Sequence, residues 1–256
     1  MTNSRLPITL LSFPTSPYGL KVSCYLAYKQ IDYNFSGVSP ITFKQVAFTN
    51  KKQVPVLQIG EKWKLESQEI GIWLEEEFPD KPLLGLSQEE RSEIIQLDNW
   101  INNQLIPSMF KIVVDWPSIP IGMKNGWKLS HAVNQSTAIP RWVRFLWPVF
   151  IRRAGFIVRM TNGLDQSKTL AQLQEDNIAE FISLLGKGPY LGGRNMISLA
   201  DLSAYAVIAF PYRFGLQGDA DWMENSAVLE WISAVDEHLP DNPFLVDDSL
   251  LRNLET

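Results

Sequence analysis

Ile8-Thr9-Leu10-Leu11-Ser12-Phe13-Pro14-Thr15-Ser16-Pro17-Tyr18-Gly19-Leu20-Lys21-Val22 is the stretch on which the fold turns. Its opening run, Ile8 to Phe13, is short, apolar and bounded by proline, and reads as a buried strand. Pro14-Thr15-Ser16-Pro17 stops that strand and opens a helix. Ser16 carries the side chain of a good N-cap, and Pro17 suits the first helical position, where no N–H is needed. The helix would bring Leu20, Cys24, Ala27 and Tyr28 to one face.

Outward from this unit the same texture continues. Ile31-Asp32-Tyr33-Asn34-Phe35 alternates as a second strand. After a polar stretch, a loop or helix, Val54-Pro55-Val56-Leu57-Gln58-Ile59 reads as a third. Gly60-Glu61 turns it into Trp63-Lys64-Leu65, and Glu66-Ser67 opens a helix with Ile70, Trp73, Leu74 and Phe78 inward. Pro79-Asp80-Lys81-Pro82 ends that helix. The order is that of a small α/β domain. From Leu86 strand signals vanish. Ser87-Gln88-Glu89-Glu90 is a capping box before Ile94, Leu97, Ile101 and Leu105. Leu170, Leu173, Ile178 and Leu185 mark a further helix, and Ser198-Leu199-Ala200-Asp201 resembles a capping box ahead of an apolar helix through Phe210. Val228, Leu229, Ile232 and Val235 mark a later one. The expected division is an α/β domain over 1–85 and an all-α domain over 86–256.

The 256 residues are 45% hydrophobic and 20% charged, enough to bury a core and unlike a disordered chain. The single cysteine, Cys24, excludes an intrachain disulfide framework, a multi-cysteine zinc module and a two-cysteine redox pair. It fits a reducing compartment, so a cytoplasmic setting is expected. Two histidines leave little for a histidine-rich metal site, and no metal is expected. A net charge of -5 argues against a nucleic-acid binder. The first residues, Met1 to Pro7, carry no long apolar run before a small-residue site and read as no signal peptide.

Three places carry chemistry. Ser16 at a helix start sets a hydroxyl and free backbone N–H groups where a thiolate would be stabilised, although capping alone would also explain it. Val54-Pro55 enters a strand, so it is an edge proline or a cis turn; a cis bond would leave the main-chain groups of Val54 free to pair with an extended peptide. Glu66-Ser67 begins a helix, where Ser67 and free amides would take a carboxylate and Glu66 an ammonium, or where they merely cap.

Taken together, Ser16-Pro17-Tyr18-Gly19-Leu20-Lys21-Val22, Gln53-Val54-Pro55-Val56-Leu57, Glu66-Ser67-Gln68-Glu69-Ile70 with Trp73-Leu74-Glu75-Glu76, and Ser198-Leu199-Ala200-Asp201 resemble the glutathione S-transferase superfamily. The resemblance spans most of the chain and is weakest between about 110 and 165. It implies a thioredoxin-like N-terminal domain, an all-helical C-terminal domain holding an electrophile pocket, glutathione as co-substrate, and a homodimer. Ser16 matches the serine that hydrogen-bonds the glutathione sulfur. Val54, before a cis proline, matches the residue that pairs with the cysteinyl backbone, and Glu66 and Ser67 match the pair at the γ-glutamyl end. Tyr18, Lys52 and Gln53 are further candidates for glutathione contact: Tyr18 is a fallback hydroxyl or a packing residue, and Lys51 or Lys52 meets the glycyl carboxylate or is solvated surface. The Ser198–Asp201 box is implied to serve folding.

The sequence departs from the family in particular ways. Phe13 stands where tyrosine-using members place their hydroxyl, which leaves a serine-type site. Gln53, after Lys51 and Lys52, replaces the glycine or lysine that many members have before the Val-Pro pair. Ser16-Pro17-Tyr18-Gly19 is also similar to a glutaredoxin Cys-Pro-Tyr-Cys with both cysteines absent, so exchange through a protein thiol is not expected. Cys24, about two turns along, reads as a core thiol.

Between Trp116 and Leu164 there is no Asp or Glu, while Lys124, Lys128, Arg141, Arg144, Arg152, Arg153 and Arg159 give +7. Subtracting that from the net charge of -5 leaves -12 on the rest. Trp116, Trp127, Trp142 and Trp147 fall in the same insertion, and Pro117, Pro120, Pro140 and Pro148 argue against one long helix. The favoured expectation is a helical hairpin whose aromatics line an electrophile pocket and whose arginines pair with the acidic remainder. The other is a surface for a membrane, a polyanion or a protein partner. His131 and His238 are given no role. Two functions follow: a glutathione transferase acting on an apolar or aromatic electrophile, or a non-catalytic interaction protein on the same fold.

Overall fold

The computed structural model describes residues 6–218 and 220–252. The segment 1–5, on which the signal-peptide reading largely rests, lies outside the described residues. Strand β1 (Ile8–Ser12) is followed by α1 (Pro17–Tyr28), β2 (Asn34–Gly37), a 3-10 turn (Lys44–Thr49), β3 (Val56–Ile59), β4 (Lys62–Leu65) and α2 (Ser67–Glu77). The four strands form one mixed sheet in the order β2-β1-β3-β4. β1 runs parallel to β2 and antiparallel to β3.

The period-two alternation of β1 serves two apolar layers. Ile8 and Leu10 join the large core on the α1 side, while Leu11 turns the other way onto Val38, Val46 and Val56. The second strand starts later than its alternation suggests. Gln30 adopts a left-handed conformation (φ 56°), and the N–H groups of Gln30 and Ile31 bond back to Ala27 and Leu26. This is a Schellman closure of α1. It commits Ile31 to the helix end, and pairing with β1 begins only at Asn34. Helix α1 is also buried more widely than one face: Lys21 and Ser23 are as inaccessible as Leu20 and Cys24. The reason is that α1 lies between the sheet and a long helix of the second part of the chain.

Among the described residues that second part is built of helices, with one isolated antiparallel bridge between Tyr190 and Arg194. Helix α3 (Gln88–Trp100) begins at a realised capping box on Ser87 and Glu90. It passes through one π turn (Ile101–Leu105) into α4 (Ile106–Asp115). The Ile106 N–H bonds five residues back, to Ile101, as a π turn requires. Then come α5 (Ile119–Ser136), α6 (Arg141–Arg152), α7 (Gly155–Thr161), α8 (Leu170–Leu185), α9 (Leu199–Phe214), α10 (Ala220–Met223) and α11 (Ser226–Asp236). Helix α9 is the central member, buried along its length and packed against α1. Its start is held by Asp201, which accepts from the Ser198 N–H at 2.9 Å and the Ser198 hydroxyl at 2.8 Å. One apolar cluster therefore runs from β1 and α1 through α9 to α11. No helix among the described residues is long and apolar enough to cross a membrane.

The insertion forms the expected helical hairpin but, among the described residues, not the expected ion pairs. It is a hairpin of α5 and α6 followed by α7, with Pro120 in the first turn of α5 and Pro148 inside α6. Among the described residues, none of its seven cations forms a salt bridge. Several of its aromatics turn outward, with Trp142 63% and Phe145 66% exposed, while Trp147 packs on the core. Helix α6 packs by one face, through Val143, Trp147, Pro148 and Ile151, and leaves the other in solvent.

Candidate functional site

The sheet register gathers the three sequence candidates. Leu11 of β1 pairs with Val56 of β3, and Val56 pairs with Leu65 of β4. These three residues form one row at one end of the sheet. The chain leaves β1 toward Ser16 there, enters β3 from Val54 there, and leaves β4 toward Glu66 there. Sites 50 residues apart in sequence thus share one edge because neighbouring strands alternate in direction.

Ser16 occupies the N-cap position of α1, with φ -75° and ψ 121°, but its side chain makes no cap hydrogen bond. Its main-chain oxygen accepts from Leu20, and Pro17 has no N–H. Among the described residues the Tyr18 and Gly19 N–H groups have no backbone partner. The half-buried hydroxyl and two unpaired donors of a helix N-terminus stand together. Helix and strand approach closely at this point. A Cβ on Gly19 would lie 2.1 Å from the Ser12 hydroxyl oxygen, so glycine is required for α1 to sit where it does.

The Val54–Pro55 peptide bond is cis. Neither main-chain group of Val54 has a hydrogen-bond partner among the described residues. Glu66 precedes α2 with φ 63° and ψ 120°, a backbone region that costs about 1–3 kcal/mol for a non-glycine residue and that clusters at ligand sites. Its side chain is exposed and receives a hydrogen bond from Gln53 Nε2. Ser67 opens α2 and is buried, at 4% exposure. Lys52 is exposed and has no ion-pair partner among the described residues.

Tyr18 faces the same edge. Burial, reinforced by the negative charges of Glu66 and Asp98, pushes its phenol up to about 12, so it is a neutral hydroxyl at physiological pH. The hydroxyl donates to Met160 Sδ of α7 at 3.8 Å, which brings the insertion beside the site. Cys24 is fully buried, and burial raises its thiol far above the ordinary range, so it supplies no thiolate.

A polar network under the site escaped sequence reading. Lys21 Nζ donates to Asp98 Oδ1 and to Asn102 Oδ1, each at 2.7 Å. Gln68 Nε2 donates to Asp98 Oδ2 at 2.9 Å, and Asn102 Nδ2 donates to the same oxygen at 3.0 Å. Helices α1, α2 and α3 are thereby tied together through Gln68, the neighbour of Ser67. The only local signal is a lysine within an otherwise apolar buried helix. Its partner lies 77 residues away.

Comparison with known proteins places the fold. Residues 10–82 match the family model of the glutathione S-transferase N-terminal domain. No curated protein sequence matches the chain. Among solved structures, the chain is similar to the β-etherase LigF from Sphingobium sp. strain SYK-6, with TM-score 0.61 and 21% identity over 91% of this chain and 98% of that one. It is similar to FzlA from C. crescentus, with TM-score 0.61 and 21% identity over 93% and 89%. A glutathione S-transferase from Rhodospirillum rubrum F11 aligns with TM-score 0.58 and 19% identity over 90% and 87%. At these identities the likeness is one of fold. Residues 10–82 match the glutathione S-transferase N-terminal domain, and with its helical remainder the whole chain is similar in fold to solved glutathione S-transferases.

Proposed function

We propose that the chain is a glutathione transferase of the serine type. The observation that carries this reading is the Ser16 hydroxyl, which stands at the start of α1 without capping it, beside the unpaired Tyr18 and Gly19 N–H groups. Such donors stabilise a thiolate through hydrogen bonds and the helix dipole. In the proposed reaction the Ser16 O–H donates to the glutathione sulfur and holds it as thiolate. The thiol proton leaves to solvent, and the sulfur attacks an apolar or aromatic electrophile and displaces its leaving group. Val54 pairs with the cysteinyl backbone, while Glu66 and Ser67 hold the γ-glutamyl end. Tyr18, Gln53 and Lys52 border the same edge. The reading carries with it a division at 1–85 and 86–256, a homodimer and a cytoplasmic setting. The neighbours named as glutathione transferases and as a β-etherase support a thiol-transfer or ether-cleaving screen.

Titration calorimetry with glutathione tests this directly. Saturable binding at or below about 1 mM is expected, with most of the affinity kept in Ser16→Ala. Turnover of a responsive electrophile should fall about 100-fold in that variant, as for loss of one oxyanion-type donor. Absence of binding up to about 10 mM in folded protein overturns the reading. A second reading, a non-catalytic interaction protein on the same fold, is favoured by the outward aromatics of α6, and it predicts that Ser16→Ala changes nothing.

A further inference from the structure

Helix α6, Arg141-Trp142-Val143-Arg144-Phe145-Leu146-Trp147-Pro148-Val149-Phe150-Ile151-Arg152, is apolar on two sides. Val143 and Pro148 are buried, and Trp147 and Ile151 pack on the core from the same side. On the opposite side Trp142 is 63%, Phe145 66% and Phe150 44% exposed, with Leu146 and Val149 each at 38%. At about 100° per residue these five fall in one unbroken sector of the helix. Trp142 meets Phe150 edge-on, and Phe145 stacks on Trp127 of α5, so the sector continues onto the neighbouring helix. A continuous aromatic surface of this kind marks an interaction site.

Charge decides what covers it. Arg141 and Arg152 border one edge of the apolar sector, and both are exposed. No acidic residue lies between 116 and 164, and none of the stretch's cations is neutralised by a salt bridge among the described residues. A second copy docked face to face across a two-fold axis would bring one acid-free, arginine-bordered face against another, with no carboxylate to meet the guanidinium groups. A lipid surface with anionic headgroups supplies both missing partners: hydrocarbon for the aromatic sector and phosphate for the guanidinium groups. Tryptophan, phenylalanine and arginine at one level are the side chains that settle at the headgroup boundary. An open groove between α5 and α6, lined by Trp127, Ser130, His131, Arg141, Arg144 and Phe145, adds donors beside the apolar sector. The -12 on the rest of the chain turns the opposite side away from a negative surface.

We propose that the outer face of α6, with the α5–α6 groove, is a docking surface for membranes rich in anionic phospholipids. It does not depend on glutathione chemistry and survives failure of the transferase reading. The whole chain would be sedimented with vesicles of phosphatidylcholine alone, or with about one third phosphatidylglycerol, at low and high salt. Binding is expected only to the anionic vesicles, and it should fall as salt rises. Arg141→Gln with Arg144→Gln should weaken partitioning about 30-fold, and Trp142→Ser with Phe145→Ser at least about 10-fold. Trp142→Phe should retain binding. Thermal melts of each variant establish that the fold is intact. Equal binding to neutral vesicles, or no binding to either, overturns the proposal. So does self-association, in place of vesicle binding, that disappears in the Trp142→Ser, Phe145→Ser variant.

Discussion

Lys21 Nζ lies 2.7 Å from Asp98 Oδ1, and both side chains are fully buried. The pair joins the first helix of the α/β part to the first helix of the helical part. Burial pulls the Lys21 ammonium below its ordinary value while Asp98 opposes that pull. Breaking a buried pair leaves an uncompensated charge, whereas replacing both members with apolar groups does not. Lys21→Met alone should cost about 3–5 kcal/mol in urea unfolding, and Lys21→Met with Asp98→Leu should recover most of that loss. A single variant within about 0.5 kcal/mol of wild type would show that the pair is not the tie between the two parts.

Asp201 is fully buried and serves more than its own helix. Besides Ser198 it accepts from the Leu191 N–H at 2.8 Å and the Trp231 Nε1–H at 3.1 Å. Asp201→Ala removes a cap and strands two further donors, so a loss of about 3 kcal/mol is expected in denaturant midpoints. Ser198→Ala, which keeps the carboxylate, should cost about 1 kcal/mol.

Tyr18 ionises at about 12 against an ordinary value of 10. Its raised folded value means that the native state holds the proton more tightly. The stability this contributes is complete below pH 10 and is lost as pH rises toward 12. Alkaline absorbance titrations of wild type and Tyr18→Phe should therefore coincide through about pH 10.5 and separate only above it. A difference appearing at pH 9 would mean that the phenol is not buried beside Glu66 and Asp98.

Gly19 marks the closest approach of α1 to β1. Gly19→Ala would press its methyl against the Ser12 side chain, and a loss of about 1–3 kcal/mol is expected. Ser12→Gly in the same chain should restore part of it, read by thermal unfolding, because the nearest obstructing atoms are those of that side chain. No rescue would place the obstruction in the backbone.

Much of the architecture is written locally. The capping box at Ser87–Glu90 and the Ser198–Asp201 box sit where their residue types require, because a cap is a contact across three residues. The strand-helix order of the first 77 residues is likewise local; the start of β2 moved with the Schellman closure at Gln30, and β3 begins at Val56, after the cis Val54–Pro55 bond. Ser16, Val54, Glu66 and Ser67 were legible as a set through their order along the chain. Their convergence on one edge rests on the register of Leu11, Val56 and Leu65.

By itself, the sequence determined that this protein has a glutathione-transferase-like fold, where the capped helices α1, α2, α3 and α9 begin, and that it carries an acid-free aromatic insertion. Periodicity, caps and proline breaks act over a few residues and can be read in one dimension. Only the tertiary structure decided that Lys21 finds Asp98, that Tyr18 lies against Met160, and that Trp142, Phe145 and Phe150 of α6 face outward. Those outcomes depend on which helix face wins the packing against distant elements. A helix that is apolar on two sides, as α6 is, carries no mark of which of them will meet the core.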